Sequence, residues 1–220
     1  MASQVLRQHP RGRPVSYRSL TGYSIAGAAI VGDRDFDAHV FACLLAVAAT
    51  EQGALGERLG LGNEDLAGLV DRWFPHARTA LFAGGPAEAG EQDDEIAMVR
   101  DLLLAHCSTP GDDDGRWLAA MIARRAMEPN HLWEDLGLRD RSELSRLLAR
   151  HFAPLAVRNT RNMRWKRFFY RTLCEADGLV MCTTPVCTSC GDFDHCFGDE
   201  SGVSRLAERR RELAQRAAAA

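Results

Sequence analysis

NMRWKRFFYRTLCEAD, residues 162–177, is the stretch on which the fold class turns. Trp165, Phe168, Phe169, Thr172 and Leu173 fall on one side at helical spacing, and Arg164, Arg167 and Arg171 fall opposite. Lys166, Tyr170 and Cys174 form a stripe between the two faces. This is the 3.6-residue period of an amphipathic helix, without the alternation of a strand. The spacing predicts a helix over 162–177, with Gly178 at the C-cap.

Upstream, the same period recurs. A helix is expected from Asp33–Asp35 to about Thr50, burying Phe36, Val40, Cys43, Leu44 and Val47, with Gly53 as a stop. Asn63 reads as an N-cap before Leu66, Leu69, Val70 and Trp73, and Pro75 ends that helix. Residues 79–92 read as a Gly/Ala-rich loop. Asp93 or Asp94 opens a helix carrying Ile96, Val99, Leu103 and His106 or Cys107 at helical spacing. Residues 108–115, with Pro, Gly and three Asp, read as a second loop, and Trp117–Met127 as a short helix closed by Pro129. Asp140 with Glu143 resembles a capping box for a helix through His151. With no repeat and no strand alternation, the class is all-α.

Downstream, the character changes. Residues 179–199 carry Cys, Gly, Pro, Thr and Asp without a long period, so their order has to come from something other than a core. Residues 201–220 are rich in Arg, Glu and Ala and lack a broad apolar face. The chain is therefore expected to divide into a flexible basic arm (1–18), a helical domain (19–178), an irregular Cys-rich metal-binding loop (179–199) and an exposed C-terminal helical tail (200–220).

The loop reads Cys182-x4-Cys187-x2-Cys190-x5-Cys196. Converging thiolates on a short, turning backbone suit a metal, which would supply ordering free energy to a poorly packed segment. Four Cys hold either tetrahedral zinc or an iron–sulfur cluster. Structural zinc sites usually arrive as two CxxC-like pairs on separate arms. The C-x4-C-x2-C opening also begins plant-type ferredoxin motifs. Spacing leans towards a cluster and leaves zinc as a rival. His195, beside Cys196, and Cys174, on the helix leading in, are candidates for support around the ligands. His39 with Cys43, and His106 with Cys107, are weaker ligand pairs, more often ordinary core or surface.

Six basic residues and no acid lie between Arg158 and Arg171, and Lys166 is the only lysine in the chain. The plain reading is a helix that buries its aromatics and solvates its charges. Two functional readings compete with it. Basic and aromatic residues together suit single-stranded nucleic acid. Alternatively, the basic face, with Arg164, Lys166 and Arg167, attracts a small oxyanion or an acidic partner.

The chain has 220 residues, 46% of them hydrophobic, which is enough for a real core. A net charge of -3 argues against coating nucleic acid or acidic membranes with the whole surface. The uncharged run Ser19 to Gly32, which no other exceeds in length, is too short and polar to span a bilayer, so no membrane role is expected. Charges and prolines in residues 1–18 do not suit a signal peptide, and a cytoplasmic location is expected. Four of the seven cysteines crowd into one short segment, which in a reducing compartment favours metal over disulfides. No Ser-His-Asp set, P-loop or GxGxxG is present, and no enzyme activity is expected.

Residues 159–200, NTRNMRWKRFFYRTLCEADGLVMCTTPVCTSCGDFDHCFGDE, resemble the C-terminal signature of the NifQ family of nitrogen-fixation accessory proteins. HLWEDLGLRDRSELSRLLARHFAPLA (131–156) and DRDFDAHVFACLLAVAA (33–49) also resemble that family. The resemblance covers roughly residues 30–200. It implies a carrier that acquires molybdenum on an iron–sulfur cluster and donates it for assembly of the nitrogenase iron–molybdenum cofactor. The implied cluster ligands are Cys182, Cys187, Cys190 and Cys196, and the implied recipients are the NifE–NifN scaffold and the NifH protein. Molybdate is the expected incoming species and nucleic acid is not expected as a partner. The alternative is a structural zinc module, its metal held by the same four cysteines, with a basic helix that binds nucleic acid or protein.

Overall fold

A helix that is apolar on every side has to sit inside a protein, and Asp33–Ala48 becomes one from Val40 onwards, where every residue to Ala48 is buried. The structure, a computed structural model, describes residues 15–82 and 93–176. In chain order its helices are α1 (Tyr17–Thr21), α2 (Asp33–Ala48), α3 (Leu55–Leu59), α4 (Asn63–Trp73), α5 (Arg78–Leu81) and α6 (Asp94–Ala105). They continue as α7 (Asp113–Ala126), α8 (Leu132–Asp135), α9 (Arg141–His151), α10 (Ala153–Ala156) and α11 (Trp165–Ala176). Among the described residues there is no strand, so this part is all-α. The Cys-rich loop and the tail lie outside the described residues, as do the first fourteen residues of the basic arm.

One core holds these helices. Phe41, Leu44 and Leu45 of α2, Met121 and Ile122 of α7, Leu147 and Leu148 of α9 and Phe169 of α11 are all buried within it. α6 packs along α7, α1 and α3 lie against α2, and α11 closes onto α6. Gly137 allows the turn after α8 to press on α2. Its φ is 72°, and a Cβ there would stand 3.0 Å from the Cys43 carbonyl oxygen.

Polar ties cross the same interior. Arg125 is 2% exposed and clamps Glu51 with two bonds of 2.8 and 2.9 Å, while its Nε donates to the Asp135 carbonyl at 2.8 Å. Asp37 accepts from Arg150 Nε at 2.8 Å and Nη2 at 2.7 Å, and from His151 Nε2 at 2.8 Å, joining α2 to α9. A buried carboxylate is tolerable only with such partners.

Several boundaries differ from the sequence expectation, each for a local reason. α7 begins at Asp113, inside the expected loop, because Asp113 and Asp114 suit the positive N-terminus of a helix. α4 is capped by Gly62, with Asn63 as its first helical residue. α11 begins at Trp165 rather than at Asn162. Asn162 takes φ 52°, and Asn159 brackets Met163, its Oδ1 accepting from the Met163 N–H and its Nδ2 donating to the Met163 carbonyl, each at 2.8 Å. Asp140 caps α9, accepting from the Ser142 and Glu143 N–H groups, but the Glu143 side chain turns to Arg139 and His39. The arm gives way to helix earlier than expected: Tyr17 is buried in α1, whose N-cap is Ser16.

Candidate oxyanion cavity at the start of the basic helix

α11 is held by its aromatic side. Trp165, Phe168, Phe169 and Thr172 are buried, and the Trp165 and Phe168 rings meet edge-on at 5.7 Å. The expected faces are therefore those observed for the buried side. Arg164, Lys166, Arg167 and Arg171 are half-buried around the remaining circumference.

Lys166 is tied into the fold. Its Nζ stands 2.6 Å from Asp135 Oδ2 and also donates to the Glu128 carbonyl. Asp135 is buried, and its Oδ1 accepts from Asn130 Nδ2 at 2.8 Å. Burial pushes the Asp135 carboxyl above its ordinary pKa, and the Lys166 ammonium and the Asn130 amide pull against it. The only lysine in the chain thus joins the start of α11 to α8 and to the end of α7.

Arg164, Lys166 and Arg167 meet around one cavity of about 280 Å³. Its other polar walls are Asn130, His131 and Glu134, from the turn that enters α8, with Trp165 among its apolar ones. Glu134 Oε2 accepts from the His131 backbone N–H at 3.2 Å, which fixes the carboxylate at the start of that short helix. The first N–H groups of α11 have no partner within the helix, and its dipole places positive charge at the same end. Among the described residues the buried Trp165 indole N–H has no hydrogen-bond partner.

The other candidates sit elsewhere. His39 and Cys43 are neighbours on α2, with the sulfur 3.7 Å from Nε2, but both are buried. The His39 ring bridges Tyr17 OH at 2.9 Å and Glu143 at 3.1 Å, so both its nitrogens are used by the fold. Burial, with Cys43 nearby, pushes the Tyr17 phenol up to about 12. His106 is likewise occupied: Nδ1 donates to the Leu102 carbonyl at 2.8 Å and Nε2 accepts from Arg158 at 3.2 Å. Cys107 and Cys174 are free thiols, each half-buried. Among the described residues no group of three or more His, Cys, Asp or Glu is placed to hold a metal. Cys182, Cys187, Cys190, Cys196 and His195 lie outside the described residues.

Sequence reasoning missed Asn130, His131, Glu134 and Asp135. Asp135 lies within a single-turn helix, too short for a period to reveal which side faces inward. The available signal in the sequence is a pair of adjacent acids, Glu134 and Asp135, bounded by the apolar Trp133 and Leu136.

These features define a small helical protein whose basic residues gather at the start of the helix that precedes a cysteine-rich segment. The chain belongs to the NifQ family: the family's model, described as NifQ, matches residues 40–198. This is a nitrogen-fixation family connected with the iron–molybdenum cofactor. The chain is 45% identical over 176 residues to a NifQ homolog of Sinorhizobium fredii, covering 78% of this chain and 76% of that protein. It is 44% identical over 149 residues to NifQ of Rhodobacter capsulatus, covering 67% and 80% respectively. It is 39% identical over 152 residues to NifQ of Azotobacter vinelandii, covering 64% and 78%. No solved structure matches the chain. Among the described residues no helix is long and apolar enough to cross a membrane.

Proposed function

We propose that the protein acquires molybdenum on an iron–sulfur cluster and donates it to the assembly of the iron–molybdenum cofactor. In this reading Cys182, Cys187, Cys190 and Cys196 hold the cluster, and His195 and Cys174 support it from beside the ligands. The cluster supplies soft sulfur ligands and electrons, which an oxidised, oxygen-bound metal needs in order to enter a sulfur-rich cofactor. Molybdenum is cargo, and the protein is a carrier rather than an enzyme. It works in the cytoplasm, receiving molybdate and passing the metal to the NifE–NifN scaffold and the NifH protein.

The observation that supports the reading most directly is the meeting of Arg164, Lys166 and Arg167 around one cavity at the start of α11. The helix that bears them leads, in sequence, into the four-cysteine motif. Anaerobic purification of the full chain tests it. A brown protein containing iron, which takes up molybdenum and loses both metals in the Cys187→Ser and Cys190→Ser variants, is the expected result. A colourless protein with one zinc would overturn it. Iron with no uptake of molybdenum would leave only electron transfer.

A further inference from the structure

We infer that Lys166 and Asp135 set the register of α11, so that Lys166 is a positioning residue for the cysteine segment that follows the helix. The inference rests on the carrier reading only for what that segment does once it is placed.

The buried side of α11 does not by itself fix where the helix sits along its axis. Trp165, Phe169 and Leu173 repeat every four residues, and Phe168 and Thr172 do the same beside them. Sliding the helix by one turn, about 5.4 Å, therefore brings each member of a row onto the place of its neighbour. The volumes differ, which opposes a slip in a graded way. Apolar contact has no direction to add. The turn before the helix is held mainly through main-chain groups. Arg141 Nη2 donates to the Asn162 and Met163 carbonyls at 2.9 Å each, and Asn159 grips the Met163 backbone. Almost any residue offers such groups, so they shape the turn without choosing a register.

Lys166 is different. It stands in the row Asn162, Lys166, Tyr170, Cys174 and is the only lysine of the chain. Its Nζ lies 2.6 Å from Oδ2 of the buried Asp135. That acid is a fixed post: Arg125 Nε donates to its carbonyl and Asn130 Nδ2 to its Oδ1, each at 2.8 Å. A one-turn slip would set Tyr170 or Asn162, neither of them charged, opposite Asp135. With the Arg125 guanidinium committed to Glu51, the carboxylate would be buried without its cation. Tyr170 also reaches across, to Glu95 and to Met127 Sδ at 3.7 Å. Glu95 is exposed, so water replaces what it loses, and a thioether is a weak acceptor. A buried ion pair is a weak stabiliser, and its best-attested use is to single out one register. Burial outweighs Lys166 and Asn130 at the Asp135 carboxyl, which agrees with a pair kept for position rather than for stability.

The register matters beyond the helix. Ala176 ends α11, and Cys182 follows six residues later. The chain between them spans at most about 20 Å, so a slip of one turn moves its anchor by about a quarter of the tether.

Pulsed-EPR distances in the full chain test the inference. Nitroxide amino acids are placed at Glu175 and at either Glu57 or Asp101, all exposed, which leaves the cysteines untouched. Wild type is expected to give one distance for each label pair. Lys166→Met with Asp135→Asn removes both charges. It is expected to unfold at a urea concentration near that of wild type, yet to show a second distance displaced by about 5 Å in at least one label pair. Lys166→Arg keeps a cation for Asp135 and is expected to restore a single distance. One unchanged distance in the double variant would overturn the inference, as would the same second distance in Lys166→Arg. A double variant that fails to fold would show the pair to be a stabiliser and overturn it as well. At equal iron content the double variant is also expected to take up molybdenum severalfold more slowly. Equal rates despite a split register would remove the cysteine segment from the account. A wild-type chain that takes up no molybdenum overturns the carrier reading, and the distances still decide the register.

Discussion

Lys166 Nζ lies 2.6 Å from Asp135 Oδ2, and this contact fastens the basic helix α11 to α8. Only 2% of the Asp135 side chain is exposed, against 20% for Lys166. The acid therefore depends on the lysine far more than the lysine depends on the acid. Lys166→Met is expected to destabilise the protein by about 3 kcal/mol, the lower end for breaking a buried pair. The double change Lys166→Met with Asp135→Asn is expected to recover most of that loss. Urea denaturation measures both, and a double variant no more stable than Lys166→Met would show that an unpaired Asp135 charge is not the source of the loss.

Acid is expected to loosen the join between α2 and α9. Burial pushes the Asp37 carboxyl up, but hydrogen bonds from His151 and Arg150 outweigh it and hold its pKa below the ordinary 3.8. Burial likewise acts on Glu143, and bonds from His39 and from the Arg139 N–H hold its pKa below 4.5. A carboxyl whose pKa is depressed by folding contributes stability that is present above its unfolded value and is lost as pH falls through its folded value. Melting temperature is thus expected to drop as pH falls below about 4.5, and to drop less steeply in Asp37→Asn. A pH dependence identical in wild type and variant would remove Asp37 from the account.

The two faces of α11 are expected to respond very differently. Phe169 is fully buried, and Phe169→Ala is expected to cost about 3–5 kcal/mol. Arg171 pairs with Glu175 one turn away at 2.6 Å, on the outside of the helix. Arg171→Ala is expected to cost under about 0.5 kcal/mol. Chemical denaturation of the two variants side by side checks the contrast.

Gly137→Ala is expected to be costly for two reasons that act together. The left-handed φ of 72° disfavours any side chain, and the new methyl would meet the Cys43 carbonyl at 3.0 Å. A loss of about 1–3 kcal/mol is expected, the scale of a strained backbone position. Gly22 also has a positive φ, 84°, but opens onto free space, so Gly22→Ala is expected to cost less. Thermal melts of the two variants rank them.

The helices α2, α6, α9 and α11 are legible in the sequence because each runs for at least three turns with a repeated apolar face. The caps at Asp93 and Asp140 are legible because their side chains bond the first turn of their own helices. The starts of α7 and α11 are not, since one depends on a run of acids and the other on Asn159 gripping Met163 from four residues back. Glu143 has the spacing of a capping partner, yet its carboxylate goes to His39, 104 positions away along the chain.

By itself the sequence determined the all-α class of the described residues, the buried side of α11, the four-cysteine motif and the NifQ family. All of these depend on residue spacing along the chain, which a local period or a motif preserves. Only the tertiary structure decided that Lys166 is bound to Asp135, that His39 and His106 are spent on internal hydrogen bonds, and that Glu134 shares a cavity with Arg164 and Arg167. Those relationships join residues from separate helices, or a side chain to the one partner that burial leaves it. Packing sets them, because a polar group removed from water must find its partner wherever the fold brings one within reach.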